Sequence, residues 1–216
     1  MISANLKQRI YTSLLLLLLV FLVLNFNIIL VYTLILIGVY SALEFLSISK
    51  KIFINKFLEI VSNIFFISYI FLFCFMFYFL SSFALIKLIL YSLLFACIAS
   101  DIGGFCFGKI FKGPKITKIS PNKTYSGAFG SILFSSITLT TLIFFYTGDF
   151  DLKIILVGIL VSIGCQIGDL FFSLLKRKAK LKDTGNILPG HGGVLDRLDG
   201  LLIGIPTGLL SLIIFL

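Results

Sequence analysis

The chain has 216 residues, of which 59% are hydrophobic and 12% charged, with a mean hydropathy of +1.16. A soluble globular domain carries roughly twice that charged fraction, and a chain this short cannot hide so much apolar surface in a water-facing core. Disorder, collagen-like repeats, coiled coils and disulfide scaffolds are excluded by the same arithmetic, which leaves an all-α, polytopic integral membrane bundle that nonetheless has a net charge of +9.

Crossing a hydrocarbon core of ~30 Å takes about 20 apolar residues. Runs of that kind place spans at Ile10–Leu24, Ile28–Leu46, Phe57–Leu80, Phe83–Ser100, Ala128–Tyr146, Lys153–Leu175 and Leu201–Leu216. The expectation is about seven transmembrane helices, within a range of six to nine. Each must be helical, because no other single segment satisfies its own backbone in lipid. Lys7 and Arg9 before Leu14–Leu24 resemble the start of a secretory signal. No small-x-small cleavage pattern follows and a second run opens at Ile28, so the first span is read as retained. Gly103–Phe111 is expected to form a short helix re-entering the interface. Cys74, Cys97, Cys106 and Cys165 show no CxxC spacing and read as small core hydrophobes.

Seven spans put the N-terminus, Ser47–Lys56, Asp101–Gly127 and Lys176–Gly200 on one side, and that side holds 16 of the 18 bases. Lys87 and Lys153 fall toward the other. The positive-inside rule then predicts a multi-pass protein of the cell (inner) membrane with a cytoplasmic N-terminus and an external C-terminus. Among the acids, Asp149 and Asp151 read as a solvated outer loop. Glu44 and Glu59 border a cytoplasmic loop and are expected to balance Lys50, Lys51 and Lys56. Asp101, Asp169, Asp183, Asp196 and Asp199 all fall on the cytoplasmic side.

The segment from Gly168 to Gly200 holds four of those five acids. Asp169 lies inside an apolar span, where an ionisable group is costly and is a functional candidate by default; its plain alternative is pairing with a nearby base. Asp196 and Asp199, three apart, share a face on a helix beginning near Val194. Two such carboxylates suit a hard cation such as Mg²⁺, although a solvated helix end would also carry them. Lys176, Arg177, Lys182 and Asp183 form a charge run that can equally be a stop after a membrane helix. Pro189-Gly190-His191-Gly192-Gly193 follows, a loop whose amides can approach an anion closely. The single histidine sits in that loop, where an anion contact or orienting hydrogen bond suits it.

The earlier polar segment, from Asp101 to Gly127, ends in Ser120-Pro121-Asn122-Lys123-Thr124-Tyr125-Ser126-Gly127. Ser120 and Thr124 offer small donors and Lys123 a point charge, a combination suited to phosphate oxygens; an ordinary basic interfacial loop is the alternative. Carboxylates, glycine loops and bases at one membrane face suit phosphoryl or nucleotidyl transfer between a soluble polyphosphate and a lipid.

The spacing Ser173-x2-Lys176-Arg177-x4-Lys182-Asp183-x-Gly185-x2-Leu188-Pro189-Gly190-His191-Gly192-Gly193-Val194-x-Asp196-Arg197-x-Asp199 resembles the signature of the phosphatidate cytidylyltransferases, or CDP-diglyceride synthases, over 27 residues. A looser likeness covers Asp101–Gly127 and Gly168-Asp169-Leu170. The resemblance implies transfer of a cytidylyl group from CTP to phosphatidate, giving CDP-diacylglycerol and pyrophosphate. Mg²⁺ is the implied cofactor, with a second, monovalent cation as a further option. It also implies that Asp169, Asp196 and Asp199 carry the metal and that Lys176, Arg177, Lys182, His191 and Arg197 hold phosphates. Asp183 would orient the bases, and Ser120, Lys123, Thr124, Gly190, Gly192 and Gly193 would line the substrate side. Expected partners are CTP, phosphatidate and membrane lipid, with a second copy as a homodimer and no nucleic acid. The implied organisation is 1–100 as N-terminal membrane helices and 101–216 as the catalytic membrane region, with signature segments 101–127 and 168–200. Ser126, Phe172 and Gly200 depart from the Glu, Glu and Ser usual in that family.

Two other classes are weighed against it. A CDP-alcohol phosphatidyltransferase would follow Asp-Gly with Ala-Arg and further aspartates, whereas Leu201-Leu202 follow Asp199-Gly200 here. A transporter or channel would spread ionisable groups through several spans near the midplane, and here only Asp169 is at all deep.

Overall fold

In the computed structural model, which describes residues 4–117, 120, 123–187 and 192–215, the chain is helical throughout its apolar runs. In order these are α1 (Ala4–Asn25), α2 (Asn27–Ile52), α3 (Lys56–Ser81), α4 (Ala84–Phe111), α5 (Tyr125–Thr147), α6 (Leu152–Lys178), the single turn α7 (Leu195–Leu198) and α8 (Leu201–Phe215). Among the described residues, six helices are long and apolar enough to cross a membrane, the last counted with α7 as Leu195–Phe215, and the Tyr11–Asn25 part of α1 adds a shorter apolar one. This agrees with the all-α bundle of about seven spans. An isolated bridge joins Lys115 and Thr124, and no strand is formed among the described residues.

The helix ends follow local chemistry. Thr124 is extended, and its hydroxyl accepts the Gly127 amide at 3.1 Å, which caps α5. Gly148 ends α5 in the left-handed region, at φ 75°. Asp151, read from sequence as part of a solvated loop, accepts the Lys153 amide at 2.9 Å and starts α6. Lys176, Arg177 and Lys178 crowd the last turn of α6, where cations favour the carbonyl end of the dipole.

The expected re-entrant helix at Gly103–Phe111 is not formed as a separate element; those residues continue α4 without a break. The glycines there bring α4 against α5. A Cβ on Gly103 would collide with the Gly130 carbonyl and the Phe134 ring, and one on Gly127 would stand 2.8 Å from the Gly104 carbonyl. Small residues let helices approach closely in lipid, where dispersion and hydrogen bonds replace the hydrophobic effect.

Two compact units divide the chain: Met1–Phe79 with Leu175–Leu198, and Leu80–Leu174 with Asp199–Leu216. In the first, α2 and α3 share a core, with the Phe45 and Phe66 rings stacked at 4.0 Å and the Cys74 thiol donating to the Leu34 carbonyl. In the second, buried hydroxyls join helices: Ser100 bonds Ser162 at 2.9 Å, and Ser135 donates to the Gly158 carbonyl at 3.0 Å. Phe65, Phe71 and Phe75 of α3 point outward, as lipid-facing side chains do.

Candidate active site

In the unit containing α4, α5, α6 and α8, Asp169 sits on α6 two turns before its basic end. Its Oδ2 accepts from Lys123 Nζ at 2.8 Å, with side-chain exposures of 22% and 27%. The Thr124 cap holds Lys123 at the start of α5, and the Lys123 amide donates to the Ser120 carbonyl at 3.1 Å. Ser120, Lys123 and Thr124 therefore stand together as the sequence suggests, with Asp169 added to them. The backbone of α6 touches the turn after α7. A Cβ on Gly168 would run into the Asp199 carbonyl, and one on Gly200 would lie 3.0 Å from Asp169 Oδ1. Asp199 itself accepts from the Gly200 amide through Oδ1 at 3.0 Å. Gly200 thus departs from the usual serine where even a Cβ is tight.

In the other unit, Asp196 lies in α7 and is surrounded by donors. Oδ1 accepts from Lys176 Nζ at 2.6 Å. Oδ2 accepts from the Thr184 amide at 2.8 Å, the Gly193 amide at 3.0 Å and the Thr184 hydroxyl at 3.1 Å. The Lys176 and Asp196 side chains are 12% and 8% exposed. Gly192 takes φ 82°, and a Cβ there would stand 2.8 Å from Asp196 Oδ2, so both conformation and space require glycine. The Gly193 amide approaches an anion closely, and that anion is the protein's own Asp196 carboxylate.

Arg177 is exposed and donates to the Leu181 carbonyl at 3.4 Å. Lys182, Asp183 and Arg197 are also exposed around the same loop. Leu188, Pro189, Gly190 and His191 lie outside the described residues. Asp196 is in the short α7, whereas Asp199 lies in the turn beyond it; the single helical face expected for the pair is replaced by two sets of partners. Of the other departures from the family pattern, Ser126 donates to the Lys112 carbonyl. Phe172 is a buried core residue set edge-on to Phe171 at 5.3 Å.

Sequence reasoning missed Glu44. Rather than balancing Lys50, Lys51 and Lys56, it is 5% exposed. Its oxygens accept from the Thr184 hydroxyl at 2.6 Å and from the Val194 and Leu195 amides, each at 2.9 Å. The available signal was an acid inside the run Ile28–Leu46, the same reason that singled out Asp169.

The donor chemistry fits a hard cation. Among the described residues no three His, Cys, Asp or Glu side chains gather into a metal cage. Mg²⁺ does not need one, since it keeps several waters and takes one or two carboxylates together with substrate phosphates. Asp169 and Asp199, on touching backbone segments, suit that mode. Asp196 has both oxygens already engaged by protein donors.

Long apolar helices with carboxylate–base clusters at their ends define a polytopic α-helical membrane protein. The model of the cytidylyltransferase family matches residues 4–215, and the chain belongs to that family. A phosphatidate cytidylyltransferase of Helicobacter pylori is 43% identical over 129 residues, covering 57% of this chain and 46% of the relative. One of Staphylococcus haemolyticus is 43% identical over 122 residues, covering 55% and 46%. One of Mycobacterium leprae is 39% identical over 113 residues, covering 52% and 36%. The chain thus matches less than half the length of these relatives.

Proposed function

We propose that this protein transfers the cytidylyl group of CTP to phosphatidate, forming CDP-diacylglycerol and pyrophosphate. The observation that carries this reading is the position of two ion pairs, Lys123–Asp169 and Lys176–Asp196. In a chain only 12% charged, both fall in the segments that resemble the cytidylyltransferase signature. The relatives' names, at 39–43% identity, support the same substrates.

In this reading the phosphatidate phosphate attacks the α-phosphorus of CTP. The bond to the bridging oxygen breaks and pyrophosphate leaves, so no protein nucleophile is needed. Lys176, Arg177, Lys182, His191 and Arg197 hold phosphates, with Asp183 orienting the bases. Ser120, Lys123 and Thr124, with the glycines Gly190, Gly192 and Gly193, shape the substrate side. Asp169 and Asp199 would hold Mg²⁺, which when bound supplies countercharge to the polyphosphate, while Asp196, its oxygens engaged by Lys176, Thr184 and Gly193, would fix the loop it caps. The basic loops face the cytoplasm and the end of α8 faces outward, by the positive-inside rule.

Purified protein in detergent, given radiolabelled CTP, phosphatidate and Mg²⁺, is expected to make labelled CDP-diacylglycerol. Asp169→Asn should lower the rate about 100-fold, the scale of losing one preorganised electrostatic group. No product from the unaltered protein above that control overturns the assignment. A reporter fused after Leu216 is expected to read external; a cytoplasmic signal overturns the topology.

A further inference from the structure

Resting on that reading, we infer that Glu44, on α2 and more than a hundred residues before the signature, is a positioning residue that clamps both ends of the glycine loop. A carboxylate buried in an apolar helix is expensive unless donors satisfy it. Here three do, and they come from the two ends of one segment: the Thr184 hydroxyl at 2.6 Å on one side, the Val194 and Leu195 amides at 2.9 Å on the other. Between those ends lie Gly190, His191, Gly192 and Gly193.

The loop's own composition agrees. A Cβ on Gly185 would stand 2.6 Å from Glu44 Oε1, and one on Gly193 would collide with Thr184 Oγ1 and both Glu44 oxygens. Neither glycine has the positive φ that Gly192 has, so what they provide is room for the Glu44 carboxylate. The clamp also reaches Asp196. The Thr184 hydroxyl has a single proton and lies 2.6 Å from Glu44 Oε2 and 3.1 Å from Asp196 Oδ2, while the Thr184 amide holds the same Asp196 oxygen. Glu44 touches no substrate in this scheme; it fixes the segment that does.

Glu44→Gln keeps the size of the side chain but offers a single acceptor oxygen and turns an N–H₂ toward groups that are themselves donors. Hydrogen–deuterium exchange of the full-length protein in detergent is expected to quicken about tenfold or more in peptides covering 184–195, the loss of bonds to a charged acceptor being of that size. The KM for at least one of CTP and phosphatidate should rise about tenfold. Gly185→Ala should be damaging beside Glu44 but less so beside Glu44→Asp, whose shorter side chain vacates the space, so the double variant loses less than the product of the single losses.

Unchanged exchange at 184–195 overturns the clamp. Quickened exchange with both kinetic constants unchanged overturns its positioning role. Should Glu44→Gln fail to fold, the Glu44→Asp and Gly185→Ala pair decides, and strictly multiplicative losses count against the contact. The exchange measurement uses no substrate, so a failure of the proposed reaction in the unaltered protein remains distinguishable from a failure of the clamp.

Discussion

Asp169 and Asp196 each meet one lysine in a signature segment, yet the two regions are built differently. Lys123 and Asp169 remain about a quarter exposed at a 2.8 Å contact. Lys176 and Asp196 are near-buried at 2.6 Å, with two amides and a hydroxyl completing the carboxylate. A partly exposed pair contributes under about 1 kcal/mol, so Lys123 can exchange Asp169 for another anion with little loss of stability. Removing one partner of a buried pair strands the other and costs several times more. The contrast separates an acid–base pair that is able to open from one that holds a loop in place.

Three substitutions would break or sharpen this contrast. Asp196→Ala should destabilise the fold by about 3 kcal/mol, because Lys176 and the Thr184 and Gly193 amides lose their common acceptor; thermal or denaturant unfolding in detergent measures it. Thr124→Ala should cost about 1 kcal/mol by uncapping α5, read in the same assay. Lys123→Ala should lower stability by less than about 1 kcal/mol while weakening the proposed cytidylyl transfer. A stability loss for Lys123→Ala equal to that for Asp196→Ala would erase the distinction.

The helices were legible because apolar run length is a direct consequence of bilayer thickness, and all seven expected spans coincide with α1–α6 and α8. Gly103–Phe111 was misread because glycines after an acid look like a turn when the partner helix is unknown. Their meaning as a close-approach surface exists only once Gly127 and Gly130 stand opposite. The signature was legible as chemistry, but not the assignment of each acid to its partners. Nothing in local spacing says that Asp196 would be saturated by Lys176, Thr184 and Gly193, nor that Asp169 would meet Lys123 from 46 residues earlier. Glu44 bonds groups 140 to 151 positions away, a separation that no motif encodes.

The glycine seam between α4 and α5 also bears on the order in which the protein assembles. These two helices are neighbours in the chain, so their contact needs only a short loop closure. It requires no residue made after α5. The hairpin can therefore lock while the ribosome is still delivering α6, and it presents the serines Ser100 and Ser135 as ready partners for the next helix to enter the membrane.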